Sequence, residues 1–333
     1  MGTKRQHYVP KVYLKAWEGK VENSKHPGNI FEGVYIYEGD SPIGEGFSRD
    51  AVLWSPHIYT ISFQDSYLVK KCSRVRKEFV SEVDRLMKEG FKKIVYAKCR
   101  YSIIKNKRSI EKHIDEIDNW DFYYEDGRLA GKKGILERIN SINSYILEDS
   151  FSKVYEEHWE ELLNKFVDAV HNGKPYQYGR SERVIDNEIA ERVINFFFMM
   201  LCRNPAFDAM GIYTSIKKNI FNPVFGVEDD NTSYSDELMR VIWYHELYRM
   251  FFSKSAGFYN NVVAKSYGAL QMILFEAYDN AGTFITSDNP AYEYKSCVEL
   301  QNSNGLFFPL SPKYMLFIGR GDEGINVIDY RFA

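Results

Sequence analysis

The feature that most restricts the fold of this chain is a helix whose last two turns are apolar on nearly every side. The sequence from Ser181 to Arg203 predicts this helix, and Pro205 ends it. Its apolar run, Phe196 to Cys202, presents no polar face to solvent, so other elements must cover it. The run is also far too short to cross a bilayer. We therefore predict a central, buried helix inside a large core.

The rest of the pattern predicts further helices and several strands. Apolar residues at three- and four-residue spacing predict helices over Lys70–Glu89, Ser109–Trp120, Ile135–Val170 and Ser235–Phe252. Aromatic and β-branched stretches predict strands over Asn29–Glu38, Gln271–Tyr278, Thr283–Ser287, Leu306–Phe308 and Tyr314–Ile318, of which the second and third would form a hairpin. The segment Phe91–Ile104 fits either a strand or a helix. The expected fold class is α+β: a helical body with a small, mainly antiparallel sheet.

The cysteines indicate a reducing environment. Cys72, Cys99, Cys202 and Cys297 are scattered along the sequence and form no metal-binding pair. The chain opens without an apolar run, so we expect no signal peptide and no membrane partner. A cytoplasmic protein with free thiols is the expectation.

The charge is distributed unevenly. Lys70 to Lys112 holds fifteen basic and five acidic residues, a local balance of +10, while the whole chain carries −3. Such a surplus suits a nucleic-acid backbone, and aromatic residues such as Tyr96 and Tyr101 could stack on bases. It suits docking to an acidic protein surface equally well, and a protein partner or a homo-oligomer is left open beside nucleic acid. The candidate nucleic-acid-binding residues are Lys70, Lys71, Arg74, Arg76, Lys77, Lys92, Lys93 and Arg100.

Three residues are candidates for chemistry, and each has a structural alternative. Asp288 stands where a predicted strand ends, as catalytic carboxylates often do, but Asp-Asn-Pro is also a common turn. Arg203 could bind a phosphate, or it could complement the carboxyl end of its helix. Glu156 follows Asp149 by two helical turns. Two such carboxylates and a histidine could hold Mg²⁺ or Mn²⁺, but acidic residues there also favour the helix dipole.

The amino-terminal segment carries a fourth candidate, His7. The stretch from Lys4 to Trp17 surrounds this histidine with aromatic and other apolar residues, so we expect it to dock against a core. No phosphate-binding loop, dinucleotide-binding fingerprint or nucleophile elbow occurs in the sequence. The pair His245-Glu246 lacks the second histidine of a zinc signature.

Taken in order, these motifs resemble the family catalogued as "domain of unknown function 4238". The resemblance covers nearly the whole chain and rests on His7-Tyr8-Val9-Pro10, Tyr13-Leu14, Trp17, Val34-Tyr35-Ile36-Tyr37, Ile58-Tyr59-Thr60, Arg203-Asn204-Pro205, Phe284 to Pro290 and Pro309 to Pro312. It implies a bacterial or phage-associated protein and brings no activity with it. It selects His7, Arg203 and Asp288 as site residues, while Glu156 belongs to an acidic helix that matches less closely.

The resemblance also implies a division of the chain. The segment from Ser62 to about Leu136 is longer than the family pattern, and it contains the basic stretch. We therefore expect a family core over residues 1–61 and 137–333, and a basic, partly helical insertion over residues 62–136.

The resulting hypothesis is a nucleic-acid-acting effector of a bacterial defence or toxin-like system, most simply a metal-dependent nuclease. His7 would act as general base or metal ligand, Glu156 and Asp288 as ligands of Mg²⁺ or Mn²⁺, and Arg203 as the group that stabilises the phosphorane charge. The alternative is a non-catalytic recognition or adaptor protein whose basic insertion docks nucleic acid or an acidic partner. A small-molecule hydrolase is a third reading, for which the sequence offers no nucleophile motif.

Overall fold

The structure is a computed structural model, and it describes residues 5–39, 41–56, 58–59, 73–90, 94–177, 180–204, 270–279, 282–294, 305–320 and 326–333. Among these, the residues from Tyr59 to Ser150 form one compact unit. Arg5–Ile58 and the residues from Phe151 onward form a second unit. The predicted helix Ser235–Phe252 lies outside the described residues.

The described residues contain both helices and strands. The α-helices are α1 (Lys11–Leu14), α2 (Ser73–Arg85), α3 (Lys107–His113), α4 (Lys132–Phe151), α5 (Trp159–Asn172) and α6 (Asn187–Arg203). The strands are β1 (Arg5–His7), β2 (Gly19–Glu22), β3 (Ile30–Ile36), β4 (Glu45–Phe47), β5 (Trp54–Pro56), β6 (Ile94–Cys99), β7 (Ser102–Ile104), β8 (Asp121–Tyr124), β9 (Lys174–Pro175), β10 (Glu182–Val184), β11 (Leu270–Glu276), β12 (Tyr292–Tyr294), β13 (Gly305–Pro309), β14 (Tyr314–Arg320) and β15 (Val327–Phe332). The α+β class is therefore confirmed.

The expectation of one small sheet is wrong. Within the described ranges there are four sheets, and the largest has seven strands in the order β12-β13-β14-β11-β15-β10-β9. All its neighbouring pairs are antiparallel except β11 and β15, which are parallel. The others are β1-β5 and β2-β3-β4 in the second unit, and β7-β6-β8 in the first.

The predicted hairpin between Gln271–Tyr278 and Thr283–Ser287 is also wrong, because the second segment is irregular. Met272, Ile273 and Leu274 on β11 are all buried, so both faces of this strand are covered and it lies inside the sheet. An internal strand needs a partner on each edge. The partners are β14 and β15, which come from the end of the chain.

Helix α6 is the central buried helix that the apolar run predicts. Trp159 of α5 stacks on Phe196 with ring centroids 3.8 Å apart, and Phe197 packs edge-on against Phe308 of β13. The helix begins at Asn187 and not at Ser181, because the Asp186 side chain accepts hydrogen bonds from the first amides of the helix. The residues before it form β10, which joins the large sheet.

The long periodic segment Ile135–Val170 is interrupted. A single π-helical turn, Ser152–Glu156, separates α4 from α5, and the Glu157 amide donates to the Ser152 carbonyl over 3.0 Å. A π-turn adds one residue to the repeat and rotates the side chains that follow it. No helix in the described part of the chain is long and apolar enough to span a membrane.

Candidate functional site

The amino-terminal segment is docked, as its aromatic content predicts. Tyr13 is fully buried, and its hydroxyl donates to the carbonyl of Pro309 over 2.6 Å and lies 2.8 Å from the Thr286 hydroxyl. The Trp17 indole donates to the carbonyl of Phe284 over 3.3 Å. Three motifs that lie far apart in the sequence therefore meet at one junction in the second unit.

This docking fixes the position of His7. Strand β1 pairs with β5 so that His7 lies opposite Trp54, and the Tyr8 amide donates to the Leu53 carbonyl over 3.1 Å. Leu53 itself has a φ of 54°, in the left-handed region that branched side chains rarely adopt. The backbone around His7 is thus held by long-range pairing and includes a strained residue, a combination that occurs at functional sites.

Arg203 ends α6 and binds the His7 strand directly. Its guanidinium donates to the backbone carbonyl of His7 and to the Glu156 carboxylate, and it lies over the Phe151 ring at 5.1 Å from the centroid. The Arg203 side chain is only 1% exposed. An arginine this deeply buried requires such partners, because an unpaired charge in the core is prohibitive.

Glu156 reaches Arg203 from the π-turn. Its side chain is 22% exposed, so the carboxylate is at the edge of the core, between the buried guanidinium and solvent. The carboxylate also lies close enough to His7 to raise the pKa of its imidazole, although other effects dominate that pKa. The structure therefore brings together His7, Glu156 and Arg203.

The His7 imidazole is the exceptional group of this cluster. The residue is 9% exposed, and its Nε2 is buried without a hydrogen-bond partner among the described residues. Burial lowers the pKa of His7, and the positive charges of Lys11 and Arg203 lower it further, against the opposing effect of Asp50 and Glu156. The lowered pKa favours the neutral ring at neutral pH, and Nε2 is a buried polar atom without a partner in the described part of the chain.

Two neighbours of His7 were not predicted from the sequence. Lys11 and Asp50 form an ion pair of 2.9 Å, and both act electrostatically on the imidazole. The pKa of Asp50 is lowered, chiefly by its hydrogen bond from Lys11. Lys11 follows His7 by only four residues in the sequence, at the start of α1. Asp50 reaches the site only through the pairing of β1 with β5.

Asp288 is attached to the cluster through its backbone. The Asn204 side chain, next to Arg203, donates to the Asp288 carbonyl over 2.5 Å. The Asp288 carboxylate is exposed and raises the pKa of Tyr8, after the larger effect of burial. Asn289 has a buried side-chain oxygen that, like His7 Nε2, has no partner in the described part of the chain. Buried polar atoms of this kind are rare and call for an explanation.

These contacts join the motifs on which the family resemblance rests, and the sequence matches the family described as "Protein of unknown function (DUF4238)" over residues 5–330. The chain belongs to this family. No curated protein and no solved structure shows a significant similarity to it.

The metal-binding capacity of this DUF4238 chain is limited. In the described ranges, no three His, Cys, Asp or Glu side chains are grouped closely enough to hold a metal ion. The two predicted carboxylate ligands are Glu156, at the edge of the core, and the exposed Asp288. Mg²⁺ is commonly bound through one or two carboxylates together with waters and substrate phosphates. An ion at this place would have to be held jointly with a phosphate-bearing substrate, because the described residues do not form an all-protein cage.

The predicted nucleic-acid-binding residues of the DUF4238 chain have mixed surroundings. Arg76 is engaged by Asp115 at 2.7 Å and by the Glu111 carbonyl, while Arg100 is 75% exposed and lies 3.3 Å from Glu116. Lys77 is exposed on α2. The remaining five predicted residues lie outside the described residues or have undescribed side chains: Lys70, Lys71, Arg74, Lys92 and Lys93.

Proposed function

We propose that this DUF4238 protein is a nucleic-acid-acting effector of a bacterial defence or toxin-like system, and that it hydrolyses phosphodiester bonds in the cytoplasm. The observation that carries the proposal is the buried Nε2 of His7, which lacks a partner among the described residues. A neutral imidazole beside a carboxylate suits a general base that accepts a proton from an attacking water. The exposed basic surface of residues 94–112 suits the substrate backbone.

Each group has a separate role in this proposal. His7 accepts the proton of the nucleophile, and Glu156 and Asp288 provide carboxylate oxygens for Mg²⁺ or Mn²⁺. When bound, such an ion would supply positive charge for the phosphate oxygens. Arg203 has buried protein partners, so we assign it to positioning: it fixes the Glu156 carboxylate and the end of β1. Arg203 thereby fixes the position of the Glu156 carboxylate relative to His7.

A recognition or adaptor protein is the second candidate. The observation that favours it is the burial of Arg203, whose contacts with Glu156, His7 and Phe151 are those expected of a structural network. In this reading His7 is a packing residue of the junction, and the predicted basic insertion over residues 62–136 docks nucleic acid or an acidic partner. A catalytic assay separates the two candidates.

The test is cleavage of labelled RNA and DNA by purified protein, with Mg²⁺ or Mn²⁺ added, in wild type and in His7→Ala. The control is His26→Ala, which removes an exposed histidine from a turn elsewhere in the same unit. We expect wild type and His26→Ala to cleave, and His7→Ala to lose about 100-fold or more, the usual contribution of a general base. Equal cleavage by His7→Ala, or absence of cleavage by wild type, would reject the enzyme and leave the adaptor.

A further inference from the structure

The three-stranded sheet β7-β6-β8 of the first unit has one face in its core and one face in solvent. Ala97, Phe122 and Ile104 are paired across the three strands and are fully buried. Side chains alternate along a strand, so the residues next to them point to the opposite face. That face carries Tyr96, Lys98, Ile103, Asp121 and Tyr123, which we call the outer face.

The outer face carries an aromatic pair with a cation beside it. Tyr96 and Tyr123 are cross-strand neighbours whose rings stack at 5.1 Å and within 8° of parallel. The Lys98 ammonium lies 4.8 Å from the Tyr123 centroid and 5.9 Å from that of Tyr96. Lys98 forms no ion pair with any described residue, even though Asp121 is its cross-strand partner.

Large apolar side chains extend this face into solvent. Ile103 pairs with Lys98 on one side and is 58% exposed, and Leu129 bridges to Tyr123 on the other and is 62% exposed. Tyr101, at the turn between β6 and β7, is fully exposed. The stacked tyrosines are explained by their cross-strand contact, which stabilises the sheet. The exposed apolar residues beside them are not explained by this contact.

The flanking charge indicates what could cover them. From Ile94 to Lys112 the sequence has six basic residues and one acidic residue, Glu111. Those that immediately follow β7 are exposed and form no ion pair with a described residue: Lys105, Lys107 and Arg108. Aromatic rings with adjacent free cations match a single strand of nucleic acid, whose bases stack while its phosphates are neutralised. A duplex keeps its bases stacked internally and cannot use the rings.

We propose that the outer face binds single-stranded nucleic acid, with Tyr96 and Tyr123 as the stacking platform and Lys98 as a phosphate contact. This inference rests on the proposed action on nucleic acid and specifies the form of the substrate. It assigns no sequence preference, because stacking accepts every base.

The test measures binding of fluorescent single-stranded RNA, single-stranded DNA and the matching duplex by anisotropy, at low salt and in EDTA. The protein carries His7→Ala, so that binding is measured without cleavage. Tyr96→Leu and Tyr123→Leu remove the ring but keep an apolar cross-strand pair, and Tyr123→Phe keeps the ring. The control is Tyr35→Leu, which removes an exposed tyrosine from β3 in the second unit.

We expect each leucine variant of the platform to weaken single-strand binding roughly tenfold, as loss of one base–aromatic stack does. Tyr123→Phe and Tyr35→Leu should bind as the parent does, and the duplex should bind more weakly. Thermal unfolding of each variant verifies that the sheet has folded. Unchanged single-strand affinity in folded leucine variants, equal affinity for the duplex, or no binding of any oligonucleotide overturns the inference. Cleavage by wild type and by His7→Ala is measured in a separate assay. The binding result therefore tests the outer face, and the cleavage result tests the proposed hydrolysis.

Discussion

Replacing Arg203 by methionine tests the buried junction that holds the candidate site. Methionine keeps the apolar stem but removes the donors to Glu156 and to the His7 carbonyl. Removing one partner of a buried pair costs ~3–5 kcal/mol. The Glu156 side chain is 22% exposed and regains some hydration, so we expect a value near the lower end. For a unit of 150–250 residues this corresponds to a fall in Tm of roughly 6–12 °C.

The assay is chemical unfolding of wild type, Arg203→Met, Glu156→Gln and the double variant. Because Glu156→Gln removes the charge that Arg203→Met leaves unpaired, the double variant should lose less than the sum of the single losses, by about 1–3 kcal/mol. The matched control is Arg192→Met, on the exposed side of the same helix, which should stay within about 0.5 kcal/mol of wild type. The proposed junction would be refuted if Arg203→Met left the free energy of unfolding nearly unchanged. It would also be refuted if the double variant lost as much stability as the two single variants together.

Three further predictions concern the rest of the second unit. Burial alone would raise the pKa of Glu276, but hydrogen bonds from Lys313, Tyr330 and His171 lower it below its ordinary value. The contribution of Glu276 to the free energy of unfolding should therefore be complete above the ordinary glutamate pKa. It should decline as the pH falls through the lowered pKa of the folded state. Glu276→Gln should flatten this decline in urea unfolding measured from about pH 3 to 7. Burial raises the pKa of Cys202 to about 12, so a thiol reagent should label it only after unfolding. Tyr13→Phe should cost about 1–2 kcal/mol in the same unfolding assay, because it leaves the buried Pro309 carbonyl without its donor.

The sequence pattern predicted those elements whose burial follows from the composition of the element itself. The all-apolar turns of α6 could only be buried, and the aromatic residues around Tyr13 could only be docked. The π-turn that orients Glu156 was not predictable from periodicity, because the apolar residues on both sides of it keep the three- and four-residue spacing of an α-helix in the sequence. The sequence pattern predicts helix where β10 lies, because three residues carry too little pattern to indicate a distant strand partner.

The site was predictable only in part for the same reason. His7 and Arg203 belong to motifs, and the structure joins them through a hydrogen bond between residues 196 positions apart. Asp50 and Lys11 affect His7 through space, and no sequence spacing connects Asp50 to it. Long-range strand pairing decides such neighbours, and a single sequence does not contain the pairing.

The most direct test of the central claim is the pH dependence of nucleic-acid cleavage in wild type. Because the pKa of His7 is lowered, activity should be at its plateau at neutral pH and should fall only below the ordinary histidine pKa of about 6.5. His7→Ala should show a residual rate without this limb. The claim is contradicted if the limb persists unchanged in His7→Ala, or if wild type does not cleave nucleic acid at any pH.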